Sequence, residues 1–261
     1  MVRPGTLYIL IAILVFAACT SRQTLLLQEA ENRWYKNEYS EAVRIFIQII
    51  DRYPDTPEAE TALLRAGETF MLNLSDHNKA LEYFKRLTEE FPHGEKARTA
   101  RINMASIMEN TTKDYDSAVI QYQILIDNSK GLEGDVFQFA LARCFYKKND
   151  YEQAIIEYKN LRKRFPSSKL LPEASYQIGN CYFVMNNCEE AIKQYEKTLE
   201  NFPDIPERYD IMLSTGVCLE GKEDYGQALH IYREILDKYP NTKLIERKID
   251  AVLSRMRDKN R

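Results

Sequence analysis

One small residue recurs along this 261-residue chain at a nearly constant interval. Ala42, Ala80, Ala118, Ala154, Ala191 and Ala228 are spaced 38, 38, 36, 37 and 37 residues apart. Four residues after each stands an aromatic: Phe46, Phe84, Tyr122, Tyr158, Tyr195 and Tyr232. Twelve residues after five of the six comes a proline preceded by an aromatic: Tyr53-Pro54, Phe91-Pro92, Phe165-Pro166, Phe202-Pro203 and Tyr239-Pro240. The exception is Lys130, where "NSKGLEGD" breaks the chain with glycines instead. Twelve or thirteen residues before each alanine sits another small residue: Ala30, Gly67, Ala105, Ala142, Gly179 and Gly216. Four columns agreeing over six copies mean one supersecondary unit stacked repeatedly, because a single such unit cannot bury its apolar face alone.

Each column has a physical role. The small residue and the alanine belong to two successive helices, and the lack of bulk at both lets the axes approach to the short end of about 8–10 Å. The aromatic four residues on lies on the same helical face one turn later. Proline ends the second helix, having no N–H to donate and pushing the residue before it out of the α region. Asp114, Asp150 and Asp224 precede Tyr115, Tyr151 and Tyr225, where an aspartate caps the second helix; Gln153 and Gln227, three residues later, complete a capping-box pattern. Only nine glycines and nine prolines, with abundant alanine, leucine, glutamate and lysine, agree with helices throughout.

These columns resemble the tetratricopeptide repeat, in which a small residue, an alanine, an aromatic and a proline mark two antiparallel helices. The period here is 37 where 34 is commonest. The resemblance covers residues 23–240 and implies an all-α, right-handed solenoid of six helix pairs. After Pro240, Leu244, Ile245, Ile249, Val252, Leu253 and Met256 recur at helical spacing with no partner helix following. Residues 241–261 therefore read as a C-terminal capping helix and tail that covers the last open face.

The first eighteen residues stand outside this pattern. Arg3 supplies a positive start, and "LYILIAILVFAA", Leu7 to Ala18, is an apolar run of twelve ending in two small residues. It is shorter than the roughly twenty residues a membrane-spanning helix needs. "FAAC" resembles the lipobox of bacterial lipoproteins, with Phe16 where that family usually has leucine. The likeness implies a signal peptide over residues 1–18, a tether over 19–22, and a covalent lipid on Cys19, with an uncleaved anchor or ordinary secretion as the alternatives. In that family Thr20, which is not aspartate, implies sorting to the outer membrane, facing the periplasm.

Little in the sequence points to catalysis. His77, His93 and His230 lack a second ligand or acid partner at metal or triad spacing, and there is no phosphate loop, His-Glu-x-x-His or dinucleotide fingerprint. Neither an enzyme nor a cofactor beyond the lipid is expected. A net charge of -3, from 36 basic and 39 acidic side chains, argues against a nucleic-acid partner. The basic cluster Lys159, Arg162, Lys163 and Arg164 is local to the fourth copy, since the matching segments "LTEEF" and "TLENF" are acidic. It reads as a solvated outer face, with an acidic partner or anionic headgroups as the alternative.

Cys144, Cys181 and Cys218, spaced 37 and 37, read as small buried hydrophobes. Bonded cysteines need Cα atoms about 4.4–6.8 Å apart, which makes a bridge between equivalent positions of neighbouring copies doubtful. Cys188 sits where Tyr151 and Tyr225 stand, and a bridge across the turn to Cys181 is an open alternative.

In the tetratricopeptide family the first helix of each pair lines a concave groove that binds peptides or partner helices. Carried over by column, the groove here comprises Phe139, Arg143 and Tyr146, then Tyr176, Asn180 and Phe183. Aromatic anchors with an arginine and an asparagine suit a recognition surface, although Phe139 and Tyr176 could equally pack between repeats. Trp34 and Tyr35 either extend that face or serve the N-terminal cap. The long period with Tyr-Pro or Phe-Pro resembles the repeats of the BamD outer-membrane assembly lipoproteins and of YbgF/CpoB. The implied role is a non-catalytic, lipid-anchored scaffold for envelope proteins in outer-membrane protein assembly. The alternative is a YbgF/CpoB-like regulator coupling envelope constriction to peptidoglycan synthesis, though that family usually carries a coiled coil before its repeats.

Overall fold

The structure, a computed structural model, describes residues 21–129 and 133–259; Cys19 and the signal-like run, and Lys130, lie outside the described residues. Thirteen α-helices follow one another among the described residues, two for each copy of the repeat and one after the last. They form two compact units, one ending at Lys113 and one beginning at Asp114, so the third copy has a helix in each. The first unit holds α1 (Arg22–Tyr35), α2 (Tyr39–Arg52), α3 (Pro57–Leu72), α4 (His77–Glu90) and α5 (Glu95–Ile107), then a π-helical turn, Met108–Thr112. The second holds α6 (Tyr115–Asp127), α7 (Gly134–Lys147), α8 (Tyr151–Arg164), α9 (Leu171–Val184), α10 (Cys188–Asn201), α11 (Arg208–Gly221), α12 (Tyr225–Ile235) and α13 (Thr242–Lys259).

The columns of the repeat are the core. All six frame alanines are fully buried, and so are Phe46, Phe84, Tyr195 and Tyr232. The small column exists because the aromatic ring lies directly on it. A Cβ placed on Gly67 would come within 2.5 Å of the Phe84 ring, and one on Gly216 within 2.5 Å of Tyr232. Any side chain there must displace a ring that has nowhere to go in a close-packed interior.

Each turn between paired helices hangs on one left-handed residue, seven or eight positions after the small residue. Asn37, Asn149, Asn186 and Glu223 have φ of 62°, 63°, 57° and 60°, and Ser75 and Lys113 take the same role at 54° and 57°. Asparagine at three of the six fits its tolerance of this region. The following residue closes a Schellman loop, with the Asp150 N–H donating to Phe145 O at 3.0 Å and Asp224 to Leu219 at 2.9 Å. It then caps the next helix: the Asp150 and Asp224 carboxylates accept from the Gln153 and Gln227 N–H groups at 3.2 Å. Asp76, Asp114 and Asn187 do the same.

The expected capping box is not formed. Gln153 donates forward to Glu157 at 2.7 Å, and Gln227 donates to the Asp224 carboxylate at 2.8 Å. The reason is that the cap's own N–H, which the glutamine should satisfy, is already spent in the Schellman loop. The second and third copies are one residue longer between the small residue and the alanine, and the third accommodates it with the π-helical turn Met108–Thr112.

Second helices stop as the prolines predict. Tyr53, Phe91, Phe165 and Phe202 are the C-caps of α2, α4, α8 and α10, at φ between -129° and -135°. α12 stops earlier, at Ile235, and turns lead on to Tyr239. The cap α13 buries Ile245 and Val252 completely, with Ile249, Leu253 and Met256 packed beside them. It is also pinned by charge. Glu220 on α11, whose side chain is only 7% exposed, accepts from Lys248 at 3.2 Å and Arg255 at 2.8 Å on α13, and from the Tyr232 hydroxyl at 3.0 Å.

Candidate protein-binding face

The six residues assigned to a groove all lie in the second unit, on α7 and α9, but they do not share one environment. Phe139 is a correction: it is only 5% exposed, its ring stands 5.3 Å from that of Tyr158, and it belongs to the cluster of Ala142, Ala154 and Leu161. It packs between α7 and α8 against Tyr158, the packing alternative that its column left open.

Arg143, Tyr146, Tyr176, Asn180 and Phe183 are half-buried. Tyr146 meets Tyr151 edge-on at 5.3 Å, and Tyr176 lies 6.3 Å from the Tyr195 ring. Asn180 is partly committed, since its carbonyl oxygen accepts from the Tyr195 hydroxyl at 2.7 Å and its amide donates to Gln177 at 3.1 Å. Phe183 and Tyr176 pack against one cluster with Tyr195, Ile205, Ile211 and Cys218. Trp34 in the first unit resolves toward packing, with the Arg65 guanidinium 5.9 Å above its ring, while Tyr35 remains 71% exposed.

The electrostatics grade across this face. Burial pushes the Tyr176 phenol above its usual range, the carboxylates of Asp210 and Glu207 add to that, and the hydrogen bond with Asn180 opposes it. Burial also raises Tyr146, and raises Tyr158 strongly although the Arg143 charge acts the other way. Aromatic surface with a cation on the α7 side and carboxylates toward α11 can stack on and pair with an extended chain. No group of three or more His, Cys, Asp or Glu among the described residues is arranged to hold a metal ion.

The basic cluster is less of a free patch than its sequence suggests. Lys159, Arg162, Lys163 and Arg164 are all exposed on α8. Yet Arg162 donates to Ser175 on α9 at 3.3 Å, and Arg164 donates to Gln138 on α7 at 3.2 Å while covering the Phe165 ring at 5.7 Å. Two of the four thus stitch α8 to its neighbours.

The cysteines are corrected as well. Cys188 pairs with Cys218, Cα to Cα 5.1 Å, and not with Cys181; Cys144 and Cys181 are buried free thiols. Cys218 is therefore not a plain buried hydrophobe. The second helix of one copy packs on the first helix of the next, so the start of α10 faces α11, thirty residues on. The signal was present in the sequence as Cys188 in the column of Tyr151, whose ring packs in the same cluster as Cys181 one copy later. Burial pushes the Cys181 thiol up to about 12, which leaves it inert as a nucleophile.

The tetratricopeptide repeat family matches residues 27–101 and 176–242, and a second form of the same repeat matches 137–168. No curated protein matches the chain significantly in sequence. Among solved structures, it is similar to PilW, a widely conserved type IV pilus biogenesis factor, at 13% identity and a TM-score of 0.53, over 88% of this chain and 98% of that one. It is similar to YrrB, a tetratricopeptide protein with an unusual peptide-binding site, at 17% identity and 0.54, over 77% and 96%. It is also similar to the apo form of RapI, at 15% and 0.61, over 92% and 73%. Likeness at these identities is likeness of fold. With the family matching more than half its length and the repeat frame filling its core, the chain belongs to the tetratricopeptide repeat family.

Proposed function

We propose that this chain is a non-catalytic scaffold of the bacterial envelope, anchored by a lipid on Cys19, that holds partner proteins on the face formed by α7 and α9. The observation that carries the reading is the half-buried row Tyr146, Tyr176 and Phe183, with Arg143 and Asn180 between them. Rigid, partly desolvated aromatics of this kind supply contact area at small entropic cost and act as anchors. The peptide-binding site of YrrB, a protein of the same fold, supports the same use of the repeats. The Cys188–Cys218 bond supports an oxidising compartment, since such bonds persist outside the cytosol. The specific role within that setting is outer-membrane protein assembly, as in the BamD lipoproteins.

Crosslinked capture from envelopes tests this. An assembly barrel protein among the captured proteins is the expected result, and Arg143→Glu with Tyr176→Ala should abolish capture while helicity is kept. Undiminished capture by that variant would move the site elsewhere. A Tol component or a peptidoglycan synthase in place of the barrel protein would transfer the chain to the YbgF/CpoB-like role.

A further inference from the structure

The first unit has an end that the tether cannot leave. The first turns of α1, α3 and α5 are tied in series: Thr24 donates to Glu58 at 2.6 Å, and Lys96 donates to Glu60 at 2.9 Å. The connections at residues 53–56 and 91–94 lead from the ends of α2 and α4 into those first turns, so they belong to the same rim. Ser21, the N-cap of α1, stands in this rim, with its side chain accepting from Thr24. Cys19 precedes Ser21 by two residues, a reach of about 7 Å at full extension. That is roughly the thickness of one headgroup layer.

The rim also carries an unexplained apolar side chain. Leu25, one turn into α1, is 54% exposed. Its charges are mixed, with Arg22 and Arg52 against Asp51, Asp55 and Glu95, all exposed. A surface with no excess of positive charge gains nothing from anionic lipid, and contact there must come from the tether and from apolar insertion.

Resting on the lipid anchor proposed above, we infer that the Ser21 end of the first unit is a membrane-facing rim, with Leu25 seated among the headgroups of a phospholipid bilayer. α1 then rises away from the bilayer, and Trp34 stands about 14 Å farther along the helix than Leu25. The membrane occupies this rim, which leaves it closed to protein partners.

The test uses the full lipidated chain in phosphatidylcholine vesicles doped with a headgroup-region quencher. Trp34 is the one tryptophan in the sequence, so the wild type reports the far end of α1, and Leu25→Trp in a Trp34→Phe background reports the rim. Circular dichroism and unchanged vesicle retention qualify the variant. The rim tryptophan should be quenched several-fold more than Trp34, and adding phosphatidylglycerol should not change the ratio. Equal, weak quenching at both positions with retention intact would overturn the rim while leaving the anchor standing. A second measurement needs no variant: trypsin should spare Arg22 in vesicles and cleave there after detergent release, and cleavage in vesicles counts against the rim. Membrane retention of Cys19→Ala would overturn the anchor itself, whatever the quenching ratio.

Discussion

The two units use the same frame position differently. In the first unit the aromatic four residues after the alanine is Phe46 or Phe84; in the second, α8, α10 and α12 carry Tyr158, Tyr195 and Tyr232 there. The rings are buried alike. What differs is the helix they lie against. One turn beyond the small residue, the first unit offers Trp34 and Met71, whereas the second offers Glu220 beside Tyr232 and, closer in, Asn180 beside Tyr195. The repeat demands only a flat ring on a small residue; at Tyr195 and Tyr232 the facing helix also supplies an acceptor for the hydroxyl. A buried hydroxyl without a partner costs about 1–3 kcal/mol, so ring and acceptor must be chosen together.

The largest expected break in this comparison comes from the staple that only the second unit has. Reducing Cys188–Cys218, which closes a loop of 30 residues, should lower the stability of the second unit by about 3 kcal/mol. Hydrogen exchange should show protection lost in α10 to α13 and unchanged in α1 to α5. Uniform loss would mean that the units do not unfold separately. A smaller effect follows from exchanging the rings. Phe84→Tyr should cost about 1–3 kcal/mol by burying an unmatched hydroxyl, while Tyr195→Phe should cost about 1 kcal/mol by removing the donor to Asn180. A neutral Phe84→Tyr in urea denaturation would show that the first unit hides an acceptor.

The smallest effect is one of pH. Burial raises the phenols of Tyr158, Tyr195 and Tyr232 above their ordinary value. Their folded values exceed the unfolded ones, so their contribution is fully present below about pH 10 and is lost as pH rises beyond it. Half a unit above that value the second unit should begin to melt at lower temperature, with a weaker response in the first unit, where Phe46 and Phe84 do not ionise. Equal shifts in a pH series followed by near-ultraviolet absorbance would assign the loss to other groups.

Much of this architecture could be read before any coordinates. Recurrence of small residue, alanine, aromatic and proline placed thirteen helices and the frame of the core, because close packing at an 8–10 Å helix spacing tolerates few residue types at those points. The aspartate caps were legible for the same local reason. The left-handed asparagines were also visible in the sequence at a fixed offset, and Asn37, Asn149 and Asn186 could have been predicted from it.

What the sequence could not decide depends on which copy meets which. Periodicity aligns equivalent residues, but contacts between copies join unlike positions, the second helix of one to the first helix of the next. That offset paired Cys188 with Cys218, left Cys181 alone and tied Arg162 to Ser175. Packing within a copy turned Phe139 inward against Tyr158, while Tyr146, Tyr176 and Phe183 kept part of their surface in solvent. The repeat by itself determined the fold, since each column is enforced within one copy. Tertiary packing alone chose the open face, because exposure is settled by side chains on neighbouring helices, as Tyr158 against Phe139 and Tyr195 against Tyr176.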